Sequence, residues 1–290
     1  MAANLLRQST PIPRTHDPIA LALAEDLGSG DLTCRYFVDA GRQGYARIFA
    51  KEDEAVVAGV TAAAEVFHKV DPALIVDIAA PEGERVKNGR TVLKIRGAVR
   101  SILTAERVAL NFLQRLSGVA TLTRKFVDAI AGSKAHIIDT RKTTPGLRSL
   151  EKAAVTAGGG VNHRMGLYDM VMVKDNHLAA DAQRAHLQQA IHALHAEHPT
   201  VRVELEADTL FQVDTFLTME GVDIILLDNM SCDDMAEAVR RGAGRVQFEA
   251  SGGVKLDTVA AIAATGVDFI SVGALTHSAR AIDFSLELLE

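Results

Sequence analysis

Arg141, Lys142 and Arg148 crowd one short segment that begins at Asp139. An arginine fork matches a carboxylate or phosphate through two parallel hydrogen bonds, whereas a lysine acts as a point charge. A lone cluster of this kind is better explained as a solvated basic loop. A second cluster follows, however: His163 and Arg164, then Lys174 with Asp175, Asn176 and His177. Gly158, Gly159 and Gly160 precede it, and such a run permits a tight or extended backbone. Two cationic loops suit a pocket for a polyanionic small molecule.

Carboxylates stand beside these cations. Glu204 and Glu206 share one face of a strand by its period of two. A carboxylate inside a sheet is costly unless paired or hydrogen-bonded. Asp228 closes the next apolar run. Such carboxylates can bind sugar hydroxyls, hold Mg²⁺ through water, or stabilise a developing positive charge. The plainer alternative is structural pairing with the same Arg and Lys residues. Ser251, Gly252 and Gly253, and then Gly273 with Ala274, each fall between a strand and a helix start. Backbone N–H groups exposed there bind phosphate.

The elements that must position these residues can be read from the apolar pattern. Six short runs, at His136–Asp139, Met170–Val173, Val201–Leu205, Ile224–Leu227, Val246–Glu249 and Phe269–Val272, alternate with helical stretches. The helices are expected at Leu147–Ala157, Asp181–Glu197, Thr209–Met219, Cys232–Arg241 and Leu256–Thr265. That rhythm predicts a parallel sheet with right-handed crossovers. Charged or Gly-rich residues follow every run, so they converge on one mouth. That is the geometry of an α/β barrel, whereas a doubly wound sheet concentrates function at one switch point. The first third is mixed. A helix opens at Asp17-Pro18, strands are expected at Tyr45–Ala50, Ala55–Ala58, Leu74–Ala79 and Thr91–Ile95, and Thr61–Val70 reads as helical. A long helical pattern runs from Ser101 to Ile130, with Gly118 expected to interrupt or bend it.

Composition narrows the function. The 290 residues carry a formal charge of −6, with 4% aromatics and no Trp, which argues against a nucleic-acid binder. No apolar run approaches the ~18 residues of a membrane helix, and the first residues do not read as a signal peptide. Cys34 and Cys232 form no metal or redox pattern, so a cytoplasmic setting is the default. The proline-bearing arm at the start suggests no function.

Taken in order, the blocks at Glu25–Thr33, Glu106–Leu113, Leu116–Gly118, Asp139–Arg148, Gly158–Arg164, Val173–His177, Leu227–Met230, Glu249–Gly253 and Ile270–Thr276 resemble the quinolinate phosphoribosyltransferase family over nearly the whole chain. The resemblance implies a mixed α/β N-terminal domain over residues 1–115 and an open, incomplete, TIM-like parallel α/β barrel over 116–277. The tail 278–290 is expected to pack back on the first domain. It implies transfer of phosphoribosyl from 5-phosphoribosyl 1-diphosphate to quinolinate with Mg²⁺, giving nicotinate mononucleotide, pyrophosphate and CO₂ for NAD synthesis. It implies further that Arg141, Thr143, His163, Arg164 and Lys174 hold quinolinate, and that Arg107 reaches into the partner subunit of a homodimer. Lys142 would serve the diphosphate and substrate side. Glu206 and Asp228 would contact the ribose and its Mg²⁺, through water. Ser251, Gly252, Gly253, Gly273, Ala274 and His277 would hold the 5′-phosphate. Lys142, Lys174, Glu206 and Asp228 form the catalytic set.

One strand departs from the family pattern: it ends Glu204-Leu205-Glu206-Ala207-Asp208, where a third glutamate is usual. The functional glutamate is placed at Glu206 from the flanking His198-Pro199 and Leu210, with Glu204 the other candidate. The alternatives are a molybdenum-locus relative with another substrate, a nicotinate-specific transferase, and a non-enzymatic phosphosugar-binding protein. The paired cations Arg141-Lys142 and His163-Arg164 speak against the last two.

Overall fold

The computed structural model describes residues 17–174 and 184–289. Asp175, Asn176 and His177, the helix start expected at Asp181, and the arm through residue 16 lie outside the described residues. The strands in chain order are β1 (Gln43–Ala50), β2 (Ala55–Val56), β3 (Ile75–Ile78), β4 (Arg85–Val86), β5 (Thr91–Ala98), β6 (His136–Ile138), β7 (Val171–Val173), β8 (Val203–Ala207), β9 (Ile224–Asp228), β10 (Gln247–Ser251), β11 (Phe269–Ser271) and β12 (Phe284–Leu289).

The chain divides into two compact units. The first comprises described residues 17–124, 142–159 and 274–289, and the second, the barrel unit, comprises 125–141, 160–174 and 184–273.

The first unit is mixed α/β. Its antiparallel sheet has the order β12-β1-β5-β3, and β2 pairs with β4. The C-terminal strand β12 pairs with β1 from Tyr45 against Leu289 to Ala50 against Phe284. Asp17 caps the helix Pro18–Leu27 by accepting from the Ile19 and Ala20 N–H groups, each at 3.0 Å. Asp31 caps a further short helix, Leu32–Phe37, which the pattern of apolar residues does not announce.

The helix Val99–Ala129 is continuous through Gly118, without the expected interruption. The glycine serves close approach instead. A Cβ there would lie 2.0 Å from the Arg280 carbonyl oxygen of the C-terminal segment. Gly158 has the same reason, since its Cβ would meet the Ala120 carbonyl at 2.5 Å. Ser117 and Thr121, one turn apart on this helix, use their hydroxyls to accept the Ala58 and Val56 N–H groups at 3.0 and 2.9 Å.

The barrel unit is an open parallel sheet of order β6-β11-β10-β9-β8-β7. Read as a ring, this is the succession of an α/β barrel whose seam between β6 and β7 is not closed by strand pairing. It is therefore an incomplete, TIM-like barrel. Residue Val161 makes an isolated parallel bridge to Ile138 on the β6 side of that seam. One face of the sheet is apolar and packed under helices: Val203, Leu205, Ile225, Leu227, Ala250 and Ile270 are buried. The other face is the barrel interior.

Candidate active site

Register partners in a sheet point to the same side, so the pairing identifies the interior residues. Met172 pairs with Glu204, Glu204 with Ile224, and Glu206 with Leu226. Leu226 pairs with Glu249, Asp228 with Ser251, Glu249 with Phe269, and Ser271 with Ile138. Lys174 continues the parity of Met172. The amino-terminal layer of this interior is an ordinary apolar plug of Ile138, Met170, Ile224 and Phe269. Barrel interiors are generally filled by such branched and bulky residues. Toward the carboxyl ends the filling changes to Glu204, Glu249 and Glu206, then to Lys174, Asp228 and Ser251. Burial falls along the same path: Glu204, Glu249 and Glu206 are buried, and Asp228 and Ser251 are half-buried.

His163 enters this interior from the seam. The Val161 N–H donates to the Ile137 carbonyl at 2.9 Å, and the buried Asp139 carboxylate accepts the His163 N–H at 2.9 Å. These bonds fix the chain beside β6 and direct the imidazole across the interior. Its Nε2 lies 3.1 Å from Glu204 and 3.2 Å from Glu249. On the other side of the ring, Nδ1 accepts the Arg164 N–H at 2.7 Å. A proton on Nε2 therefore lies between two carboxylates.

Electrostatics follow from that placement. Burial alone would depress the His163 pKa, but the Glu249 charge and the contact with Glu204 outweigh it and push it up to about 10. A proton on Nδ1 would face the Arg164 donor, so the ring takes it up only by giving up that bond. Burial, reinforced by the Glu249 charge, raises Glu204 to about 7, although His163 opposes the rise. Glu249 feels the same burial, yet the His163 charge holds it below the ordinary glutamate value. One carboxylate thus carries the charge and the other keeps a proton near neutrality. Glu204 Oε1 and Glu249 Oε2 have no hydrogen-bond partner meeting full geometric criteria. The three side chains each offer one donor atom, all within 4.8 Å of one another, a buried set able to coordinate a divalent metal.

Above this trio lies an ion pair. Lys174 Nζ donates to Glu206 Oε2 at 2.7 Å, with Lys174 44% and Glu206 7% exposed. Arg164 is buried; its guanidinium donates to the Met170 carbonyl at 3.2 Å. Burial and the neighbouring Arg141 charge both lower its pKa, which places the two guanidinium groups in one electrostatic environment. Asn229 has a left-handed φ of 53° and donates to Asp228 at 2.8 Å. Gly252 must be glycine: its φ is 96°, and a Cβ would lie 2.2 Å from the Asn229 side-chain oxygen. The helix expected after this turn from Leu256 begins at Val259, so the glycines form a turn of their own rather than the start of a helix.

The barrel unit therefore holds Arg141, His163, Arg164, Lys174, Glu206, Asp228, Ser251, Gly252, Gly253 and Gly273. The structure pairs Lys174 with Glu206 and brings His163 to Glu204 rather than to Glu206. Arg107, Lys142, Thr143, Ala274 and His277 belong to the first unit. Arg107 is exposed on the long helix, and Thr143 accepts from Arg148 at 3.1 Å. Reasoning from sequence passed over Glu249, Asp139 and Asn229 as site residues. Glu249 carried a readable signal, an acidic residue inside an apolar strand run two positions before Ser251.

The pattern of the quinolinate phosphoribosyl transferase C-terminal domain matches residues 119–287, and that of the N-terminal domain matches residues 31–117. The chain is 43% identical over 286 residues to decarboxylating quinolinate phosphoribosyltransferase 1b of Nicotiana tabacum, covering 93% of this chain and 81% of the relative. It is 43% identical over 278 residues to the carboxylating nicotinate-nucleotide pyrophosphorylase of Mycobacterium leprae, covering 94% and 96%. The solved nicotinate-nucleotide pyrophosphorylase of Francisella tularensis superposes with a TM-score of 0.88 at 36% identity, over 97% of this chain and 99% of that one. The chain belongs to the quinolinate phosphoribosyltransferase family, and as an enzyme its class is that of the decarboxylating phosphoribosyltransferases serving NAD synthesis.

Proposed function

We propose that the mouth of the barrel joins quinolinate to 5-phosphoribosyl 1-diphosphate and releases pyrophosphate and CO₂, leaving nicotinate mononucleotide. The observation that carries this reading is the graded interior: a cationic rim of Arg141, Arg164 and Lys174 beside the carboxylates Glu206 and Asp228, which stand next to Ser251. The rim suits a planar di-acid, since guanidinium forks and an ammonium together neutralise two carboxylates. By the family resemblance, Lys142 and Thr143, the residues next after Arg141 in the chain, serve the diphosphate and substrate side. The backbone of Ser251, Gly252, Gly253 and Gly273 takes the 5′-phosphate.

The chemistry follows in two steps. The pyridine nitrogen attacks C1 of the ribose as the C–O bond to the diphosphate breaks, and that electron pair leaves with pyrophosphate. Positive charge builds at C1, and Glu206 and Asp228 stabilise it. The quaternised ring then accepts the electron pair of the breaking C2–carboxylate bond. CO₂ departs, and C2 takes a proton from solvent. Alignment of the two substrates is the larger part of the task.

Mg²⁺ keeps several waters and prefers oxygen donors throughout. Glu206 and Asp228 supply oxygens only, and Asp228 is open enough for waters to remain. They fit the ion better than the buried trio, whose donors include an imidazole nitrogen. Held by Glu206 and Asp228, such an ion would supply neutralisation of the diphosphate's negative charge.

The enzyme works as a homodimer in this reading, with Arg107 completing the partner's site. Its exposure supports that role, as do the exposed Leu21, Leu32, Tyr36 and Phe37 of the first unit, the last 86% exposed. An apolar cleft of about 640 Å³, lined in part by Leu21, Val108, Phe112 and Leu147, lies in the same unit. Both thiols, Cys34 and Cys232, are free, in keeping with a reducing, cytoplasmic compartment. Among the described residues no helix is long and apolar enough to cross a membrane.

The test is release of CO₂ from quinolinate and 5-phosphoribosyl 1-diphosphate with Mg²⁺, with nicotinate as control. Equal yields of CO₂ and pyrophosphate are expected from quinolinate and neither from nicotinate. Pyrophosphate release with nicotinate alone would overturn the reading.

A further inference from the structure

Glu151 sits in the first turn of the helix Arg148–Ala157 and is fully buried. A carboxylate in such a place is costly unless its lone pairs find donors. Here they do. Oε2 accepts the Thr144 N–H at 2.9 Å. Oε1 accepts the Thr144 hydroxyl at 2.7 Å and the Nε and Nη2 of Arg115 at 3.1 and 2.8 Å. Arg115 comes from the long helix and reaches further. Its Nη1 donates to the Ala279 carbonyl at 2.8 Å, and its Nη2 also donates to the Thr276 carbonyl. The Thr276 hydroxyl completes the circuit by donating to the Lys142 carbonyl at 2.8 Å.

One ion pair, with Glu151 fully buried and the Arg115 side chain 27% exposed, thus ties together two segments of the first unit. Residues 142–144 follow β6 and carry Lys142 and Thr143. Residues 276–279 follow β11, the neighbour of β6 in the parallel sheet, and carry His277. Stability alone is a poor reason for this arrangement, because a buried ion pair gains little over well-packed apolar residues of the same volume. An apolar pair cannot, however, bind two carbonyls and a carboxylate at once. That takes the rigid fork of a guanidinium.

We propose that Arg115 and Glu151 are positioning residues for phosphoribosyl transfer, holding the backbone of Lys142 and Thr143 in fixed register with the segment of His277. The proposal rests on the reading of Lys142 given above. A lysine side chain is long and flexible, and its charge is useful to a diphosphate only if its own backbone does not wander. The clamp supplies that fixity without touching substrate.

The experiment is a kinetic cycle in the full chain with Glu151→Gln, Lys142→Ala and the double variant, each checked for folding by its melting curve. Lys142→Ala is expected to lower kcat/KM for 5-phosphoribosyl 1-diphosphate roughly 100-fold or more. Glu151→Gln is expected to lower it roughly 10-fold, raising KM for that substrate more than KM for quinolinate. The double variant is expected to be no slower than Lys142→Ala alone, because the clamp acts through that residue. A silent Glu151→Gln, or a loss that multiplies in full with that of Lys142→Ala, would overturn the positioning role. A silent Lys142→Ala would overturn the assignment of Lys142 and the proposal with it. Should Glu151→Gln fail to fold, Arg115→Lys replaces it. Lysine keeps the charge beside Glu151 but not the fork, and the same outcomes decide.

Discussion

Glu249 lies 3.2 Å from the imidazole Nε2 of His163, and both are buried in the barrel interior beneath the cationic rim. Strand β10 and the irregular segment at the open seam meet in that contact. Replacing the carboxylate by the amide of the same shape removes the charge that sustains the His163 proton. Glu249→Gln is therefore expected to lower kcat/KM for quinolinate roughly 10–100-fold, at or below the lower end of the loss seen when a donor touching the reacting atoms is removed. Steady-state kinetics on protein with a native melting curve would check it. Unchanged kinetics would make the trio a packing device.

The trio also sets a pH dependence of stability. Glu204 has its folded pKa raised to about 7 from an ordinary 4.5. Its contribution is fully present below 4.5 and is lost as pH rises through 7, because the unfolded chain ionises the carboxyl first. His163, raised from 6.5 to about 10, extends the loss from 6.5 toward 10. Glu249, held low, acts in the opposite sense, and its contribution is lost as pH falls through its folded value. Glu204→Gln should flatten the stability profile between pH 4.5 and 7, removing a slope on the order of 1.4 kcal/mol per pH unit. Denaturant titrations at three pH values in that window would measure it. A slope identical to that of the unmodified chain would place the titration elsewhere.

Arg107 offers a test of the shared site. Arg107→Ala should be inactive alone, yet regain part of its activity when mixed with a Lys174→Ala chain, because one mixed site then keeps both residues. No recovery after subunit exchange would argue that each chain works by itself. If Arg107 only pairs with Glu106 on an exposed surface, the change should be nearly silent.

Gly118→Ala separates two opposing effects. Alanine is the better helix former by about 1 kcal/mol. Its Cβ would nevertheless meet the Arg280 carbonyl at 2.0 Å, and that oxygen belongs to the backbone. A net loss of roughly 1–3 kcal/mol is expected, as for overpacked interiors. A stabilised variant would mean that the C-terminal segment yields easily.

The barrel strands were legible because each is a short apolar run bounded by polar ends, a local property. The expected His136–Asp139 and Phe269–Val272 runs became β6 and β11 within one residue at their ends. The pairing of Lys174 with Glu206 was foreshadowed by their places at neighbouring strand ends. What escaped was set by distant parts of the chain. Glu151 reads as a helix-surface residue until the long helix brings Arg115 against it. Gly118 reads as a breaker because the chain that crowds it lies far ahead in sequence. Glu249 hides in a strand, and its partner arrives through the irregular segment around Val161. β4 and the capped helix after Asp31 are too short to carry a period.

The strand β12 is hydrogen-bonded along the whole of its length to β1, and β1 stands between it and β5. In synthesis, β1 leaves the ribosome early, but its neighbour β12 follows every barrel strand in the chain. The first sheet therefore cannot be completed until the strands of the barrel unit have all been made. Until β12 emerges, the growing chain carries a bare β1 edge, an invitation to pair with another chain.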